Sequence, residues 1–215
     1  MVIAESKKSR RGRPPKSEVG TIAPRILAAA SEVFLRAGYE QANMSEVAQK
    51  AGCSKRTLYL SFPSKLALFS SFVQSFVEER LEQIRISIDP AASLEQQLCL
   101  ITAIIRSYAS SEEMYQLHRL IVQDGRRFPE LRSVMEEAAW QPGKKVVRTL
   151  LEAHFTGAVI EELTFLSDQF LGLVALRAIH HNIVGKPAPT EPPEQLVRLF
   201  LHGCSGFYRA HENVK

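Results

Sequence analysis

The chain has 215 residues, 45% of them apolar, and a net charge of +4 at neutral pH. That is enough apolar material for a sizeable buried core, yet the longest wholly apolar run in its most hydrophobic region, residues 170–176, falls far short of the roughly 20 residues that cross a bilayer. No transmembrane helix is expected, and the basic, non-hydrophobic N-terminus lacks the core of a secretory signal, so a soluble cytoplasmic protein is the expectation.

The charge is unevenly spread. Residues 1–65 carry 12 positive and 5 negative side chains, a net of +7, which leaves −3 for residues 66–215. One end suits a polyanion while the rest is a mildly acidic body, the pattern of a local DNA-binding head on a non-binding domain. Cys53, Cys99 and Cys204 are odd in number, widely spaced and without metal-ligand spacing, so thiols are expected.

Residues 1–20 combine little apolar content with Ser, Gly, Pro and a run of Lys and Arg, a composition that predicts a disordered basic arm. Within it, Arg10-Arg11-Gly12-Arg13-Pro14-Pro15-Lys16 resembles an AT-hook core. Glycine allows close approach to a minor-groove floor, proline keeps the path extended, and Arg10, Arg11 and Arg13 are drawn to the potential of narrow A-tracts. A solvated tail acting only through counterion release is the simpler alternative.

From residue 21 onward apolar residues recur at three- and four-residue intervals with no sustained alternation, so the fold class is all-α. The first helix is expected to start at a Thr21 cap with Pro24 in its first turn, to turn Ile22, Ile26, Ala30, Val33, Phe34 and Ala37 inward, and to end at Gly38. Residues 44–65, MSEVAQKAGCSKRTLYLSFPSK, carry the most information. Asn43 is placed to cap a short helix with Glu46 reaching back as in a capping box, Val47, Ala48 and Ala51 face inward, Gly52 turns the chain and Ser54 caps a second helix. In that helix Leu58 and Phe62 share the buried side, leaving Lys55, Arg56, Thr57, Tyr59 and Ser61 outside. This is a helix-turn-helix, and its second helix suits a major groove.

The order helix, AGYE (residues 37–40), capped helix, AGCS (residues 51–54), TLYLSFPSKLALF (residues 57–69) resembles the N-terminal domain of the TetR/AcrR bacterial transcriptional regulators over roughly residues 22–69. RFPEL (residues 127–131) and VRLFLHG (residues 197–203) are similar to the C-terminal domain of the AefR-like subgroup. The resemblance implies an N-terminal three-helix DNA-binding domain and a larger helical domain that dimerises and usually holds a small-molecule pocket. By this resemblance Asn43 and Ser45 meet the DNA backbone, Ser54, Lys55, Arg56 and Thr57 lie at the groove, and Tyr59 and Lys65 hold phosphates. Leu60 and Ser61 stand where larger polar or aromatic residues are common in the family.

Pro63-Ser64 should open a long helix over residues 65–88, with Phe69, Val73, Phe76 and Ile84 along one side. Asp89-Pro90 then breaks the chain. Leu94, Leu98, Ile101, Ile105 and Tyr108 form the next stripe, a helix follows over 112–126, and Gln141-Pro142-Gly143 should interrupt the segment after Pro129. The last helices, about 161–184 and 194–210, are apolar on more than one face. Leu163, Leu166, Phe170 and Leu173 are assigned to the core, while Phe165, Gly172, Leu176, Ile179, Gly203, Gly206 and Phe207 are candidates for a two-fold dimer interface, with a core helix covered within one chain as the alternative. The expected organisation is an arm over 1–20, a DNA-binding domain over 21–65 and an effector-binding and dimerisation domain over 66–215.

Candidate pocket residues are Tyr108, Tyr115, His118, Trp140, His154, Phe165, Phe170 and His180, chosen as polar or aromatic groups on apolar helices. His180-His181 with Asp168 makes no metal or acid–base spacing, no Gly-rich phosphate loop occurs, and Cys53 fills a turn position that needs a small buried plug, so neither an enzyme nor a cofactor is expected. The sequence thus points to a homodimeric regulator, in the family's usual mode a repressor, released from a palindromic operator by a small apolar or amphipathic effector. An architectural binder of A·T-rich DNA that senses no ligand is the alternative, and a regulator answering to a partner protein or thiol oxidation is a third reading.

Overall fold

In a computed structural model of the protein, residues 16–155 and 157–212 are described, with side chains over 22–155 and 157–203. Among the described residues every regular element is helical. The arm residues Arg10, Arg11 and Arg13 and the side chains of Gly206 and Phe207 lie outside them.

Helix α1 (Lys16–Gln41) begins before Thr21, so Thr21 is not its cap and Pro24 lies inside the helix rather than in its first turn. It takes up residues 16–20, which composition had assigned to the arm. Its regular path stops at Gly38, whose φ of 79° and ψ of 172° no other residue type adopts readily. Helices α2 (Met44–Lys50) and α3 (Lys55–Ser61) cross it, fixed by their caps: Asn43 accepts from the Ser45 N–H at 2.8 Å, and Ser54 from the Thr57 N–H at 3.1 Å. The expected capping box is not completed, because Glu46 is drawn instead to Arg36 of α1 at 2.6 Å. Gly52 supplies the positive φ of the turn, at 64°.

Helix α4 (Lys65–Ser87) starts at a Ser64 cap and runs through both hydrophobic cores. The first core joins Ile26, Val33, Phe34, Val47, Ala48 and Leu58 of the head to Leu68, Phe69, Phe72 and Val73 of α4, and it continues into Met114, Leu117 and Leu120 of α6 (Glu112–Asp124) and Leu131 of α7 (Glu130–Met135). Full burial of one such side chain contributes about 1.5–3 kcal/mol. The second core gathers Val77, Leu81 and Ile84 of α4, Leu98 and Ile101 of α5 (Leu94–Ala109), Val147 and Leu151 of α8 (Gln141–His154), Leu166 and Phe170 of α9 (Ile160–Leu171), and Val197 and Phe200 of α11 (Pro193–Glu212). Rings spaced 5.2–6.1 Å apart connect Tyr39 in the head through Phe34, Phe69, Phe72 and Phe76 to Tyr108 on α5.

Two π-helical turns depart from the sequence expectation. Glu136–Trp140 joins α7 to α8 without a break, the Gln141 N–H reaching back to the Glu136 carbonyl. A wide turn of this kind lets the helix pass Pro142, which has no N–H to give. Gly172–Leu176 likewise joins α9 to α10 (Arg177–Ile183). There the core stripe runs from Phe170 to Val174 and Ala178 with Ala175 buried beside it, while Leu173, expected inside, points outward at 43% exposure.

Candidate functional site

On the head, α3 presents one continuous outer surface. Lys55 and Arg56 are exposed in its first turn, Tyr59 is half-exposed, and Leu60, four residues after Arg56 and therefore on the same face, is 76% exposed. Thr57 is half-buried, its hydroxyl 2.9 Å from that of Ser54. Asn43 and Ser45 mark the N-terminal end of α2. Arg25 of α1 joins this set although the sequence reading passed over it. Its guanidinium lies over the Gly52 turn so closely that a Cβ there would stand 2.5 Å from Nη2. Its signal was local: a cation directly beside Ile26 of the α1 core stripe. Lys65 has another task, since its ammonium donates to the Glu40 carbonyl at 2.8 Å and lies 5.0 Å from the Tyr39 ring centre. Burial pulls its pKa down, partly offset by Asp124 and Glu40.

The body holds a cavity of ≈ 340 Å³ between α4, α5, α6, the first π turn and α8. Leu81, Ile84, Ile101, Ile105, Leu117 and Val147 give it an apolar wall. Of the expected pocket residues, Tyr108, His118 and Trp140 line it. The others do not. Phe170 is fully buried, 5.0 Å from Phe200 in the second core. His154 and His180 are exposed, Phe165 is half-exposed on α9, and Tyr115 lies on α6 outside the lining. Chemical type selected those residues; only packing decides which side of each helix faces the void. The reading missed Arg80 of α4, Met114 and Ile121 of α6, and Arg132 and Met135 of α7, which also line it.

Three polar groups in the wall have defined states. The Nδ1–H of His118 donates to the Met114 carbonyl at 2.8 Å, and burial lowers the pKa of the ring, so it stands neutral with Nε2 as acceptor. The Tyr108 hydroxyl is buried without a hydrogen-bond partner, and burial raises its pKa. Trp140 donates from Nε1 to Asp168 Oδ1 at 2.9 Å, and this bond chiefly lowers the Asp168 pKa.

Cavity and head share α6. Met114, Leu117, His118 and Ile121 face the void, and Asp124, the last residue of the same helix, accepts on Oδ2 from the N–H groups of Tyr39 at 2.7 Å and Glu40 at 3.1 Å. Arg119 reaches the Leu35 carbonyl at 3.4 Å, and Arg127 pairs with Glu40. An acid in the last turn of a helix opposes the dipole, and that local misfit was the sequence signal for Asp124.

Along α9, the second π turn and α10, half-exposed Phe165, Leu173, Leu176 and Ile183 form an apolar face, with Leu199 of α11 at 69% exposure and Gly203 exposed beyond it. Of the interface candidates, Gly172 and Ile179 are half-buried, and Ile179 and Leu176 also line the cavity. Among the described residues no cluster of His, Cys, Asp and Glu could hold a metal, and no helix is long and apolar enough to cross a membrane.

A capped helix-turn-helix fused to a helical body with an internal apolar cavity defines a DNA-binding transcriptional regulator. Residues 26–72 match the family model described as bacterial regulatory proteins, tetR family, and residues 96–201 match the AefR-like transcriptional repressor, C-terminal domain. The chain belongs to the TetR family, whose members regulate transcription and are not enzymes. It is 29% identical over 202 residues to the transcriptional repressor BepR of Brucella suis, a match covering 91% of this chain and 88% of BepR. To the transcriptional activator FasR of Mycolicibacterium smegmatis it is 40% identical over 73 residues, which is 34% of this chain and about a third, 33%, of FasR. Its fold is similar to that of the regulator FadR of Bacillus subtilis in complex with stearoyl-CoA, with a TM-score of 0.61, 19% identity, and coverage of 83% of this chain and 95% of that one.

Proposed function

We propose that the protein is a homodimeric repressor that leaves a palindromic operator when a small apolar or amphipathic effector fills the cavity. The observation that carries this reading is the double duty of α6, which walls the cavity and ends in the Asp124 clamp on the head. An effector that wedges Met114, Leu117 or Ile121 outward displaces Asp124, and with it the join between α1 and α2 that aims α3. Only an effector that binds the displaced geometry more tightly shifts the population, and release follows from that difference alone.

In this reading Lys55 and Arg56 reach base edges, Thr57 and Ser54 flank them, and Asn43, Ser45, Tyr59 and Arg25 hold the phosphate backbone. Lys65, tied to Glu40 and Tyr39, positions the head rather than holding phosphate. Arg10, Arg11 and Arg13 add minor-groove or phosphate affinity. The apolar face of α9, α10 and α11 pairs with a second copy, which sets two α3 helices at the spacing of successive major grooves. The likeness to a repressor over 91% of this chain and the ligand held by FadR support repression and an amphipathic effector.

The test is to sequence genomic fragments retained by the full-length protein at near-physiological salt, alongside Arg56→Ala and a chain lacking residues 1–15, which leaves α1 whole. A shared inverted repeat is expected, lost with Arg56→Ala at a cost of about 1–3 kcal/mol and kept without the arm. Broad retention of A·T-rich DNA that ignores Arg56→Ala and disappears with the arm would replace this reading by the architectural one. Oxidation sensing through Cys53 or Cys99 is disfavoured, because burial raises the pKa of both thiols; the side chain of Cys204 lies outside the described residues.

A further inference from the structure

From the state of His118 we infer that the effector is an uncharged apolar molecule bearing a hydroxyl group, a phenol or an alcohol, whose O–H donates to His118 Nε2. The inference rests on the reading of the cavity as the effector site. A carbonyl can only accept, so the 2.8 Å contact with the Met114 carbonyl makes Nδ1 the protonated nitrogen. The tautomer is thereby fixed, and Nε2, at the far edge of the ring from its own helix, carries a lone pair. Nothing in the described protein donates to it. The ring forms part of the cavity wall, where its other neighbours are mostly aliphatic. A lone pair set in an apolar wall is a selective group, because it rewards a donor, gains nothing from a hydrocarbon or an ether, and repels a carboxylate.

Three charged residues, Arg80, Arg132 and Glu136, also line the void. Arg80 is engaged by Glu79 at 3.0 Å and by the Tyr108 ring, 5.3 Å from its guanidinium. Glu136 has Lys144 at 3.5 Å. Among the described residues no carboxylate pairs with Arg132, so a benzoate probe also tests whether an anion is drawn there. The second polar feature of the wall also favours a hydroxyl: Tyr108 holds a buried hydroxyl with no partner, and a ligand hydroxyl can both donate and accept. The remaining ligand surface would lie against Leu81, Ile84, Ile101, Ile105 and Val147, which asks for an alkyl or aryl body.

Three probes that share one skeleton test the donor rule: 4-hexylphenol, 4-hexylanisole and 4-hexylbenzoate. Binding is read from the emission of Trp140, the single tryptophan of the chain and part of the cavity wall, and from the rise in melting temperature. The phenol is expected to bind about fivefold to tenfold more tightly than the anisole, the worth of one hydrogen bond. The benzoate should be weakest. In His118→Phe the phenol should fall to the anisole's affinity while the anisole is unchanged, which also shows that the variant is folded. In His118→Gln, whose amide oxygen can still accept, part of the preference should return. Equal affinities for phenol and anisole, a benzoate that binds most tightly, or a preference that survives His118→Phe would each overturn the donor rule while leaving the cavity as a binding site. Binding by none of the three would remove the cavity reading itself, and the donor rule with it.

Discussion

Replacing Gly38 by alanine tests the link between head and body at one atom. The backbone there has φ 79° and ψ 172°, a region in which a residue with a Cβ is strained by about 1–3 kcal/mol. The added Cβ would also stand 3.1 Å from Asp124 Oδ2, the oxygen that accepts from the Tyr39 and Glu40 N–H groups. A hydrogen bond to a charged group contributes about 1.5–3 kcal/mol, so disturbing one of the two brings the expected loss to about 2–5 kcal/mol. Gly185 provides the internal reference. It too has a positive φ, 68°, but a Cβ there meets nothing within 4 Å, so Gly185→Ala should cost only the backbone part, about 1–2 kcal/mol. Urea unfolding at pH 7.5 measures both variants, and operator affinity measured on the same samples reports whether the head is still aimed. In an Asp124→Ala background the cost of Gly38→Ala should shrink to its backbone part, about 1–3 kcal/mol. If Gly38→Ala is no more destabilising than Gly185→Ala, or if its cost is the same with and without Asp124, the clamp is not what holds this junction.

Three further outcomes are expected. The pKa of His118 in the fold lies below its ordinary 6.5, so the unfolded chain takes up the proton first and stability is lost as pH falls from 6.5 through the folded value; His118→Phe should remove that slope from the urea midpoint between pH 7.5 and 5.5, and an unchanged slope would assign it to another group. Trp140→Phe keeps the ring packing but loses the bond to Asp168, so the Asp168 pKa should rise toward 3.8 in an NMR titration, with a stability loss of about 1 kcal/mol because the carboxylate is partly solvated. Leu60, exposed beside Arg56, suits a thymine methyl group, so operator DNA with deoxyuridine in place of thymidine should bind the protein more weakly yet leave Leu60→Ala indifferent; equal losses for both proteins would refute the contact.

The head was legible because its determinants are local. Asn43, Gly52 and Ser54 each act on backbone within three residues, and the spacing of Leu58 and Phe62 needs no partner to define an inner side. The cavity was not, because its wall is assembled from helices spread over residues 77–179, and only packing decides which side of each faces the void. An α-helical reading of residues 163–176 leaves Leu173 and Val174, three and four residues after Phe170, similarly placed to face inward, and packing buries Val174. Gln141-Pro142-Gly143 reads as a break, whereas the π turn before it joins α7 to α8 without one. Tyr108, His118 and Trp140 were found by chemical type, but that criterion alone admitted His154 and His180, which face solvent.

The unbroken first core bears on protein engineering. A chimaera cut at residue 65, exchanging only the DNA-reading end for that of another regulator, would leave Phe69, Phe72, Leu117 and Leu131 packed against side chains for which they were not shaped. A workable graft must carry the facing surfaces of α4, α6 and α7 with it, so operator preference in this chain cannot be exchanged as a cassette and would have to be altered by substitutions on the outer face of α3.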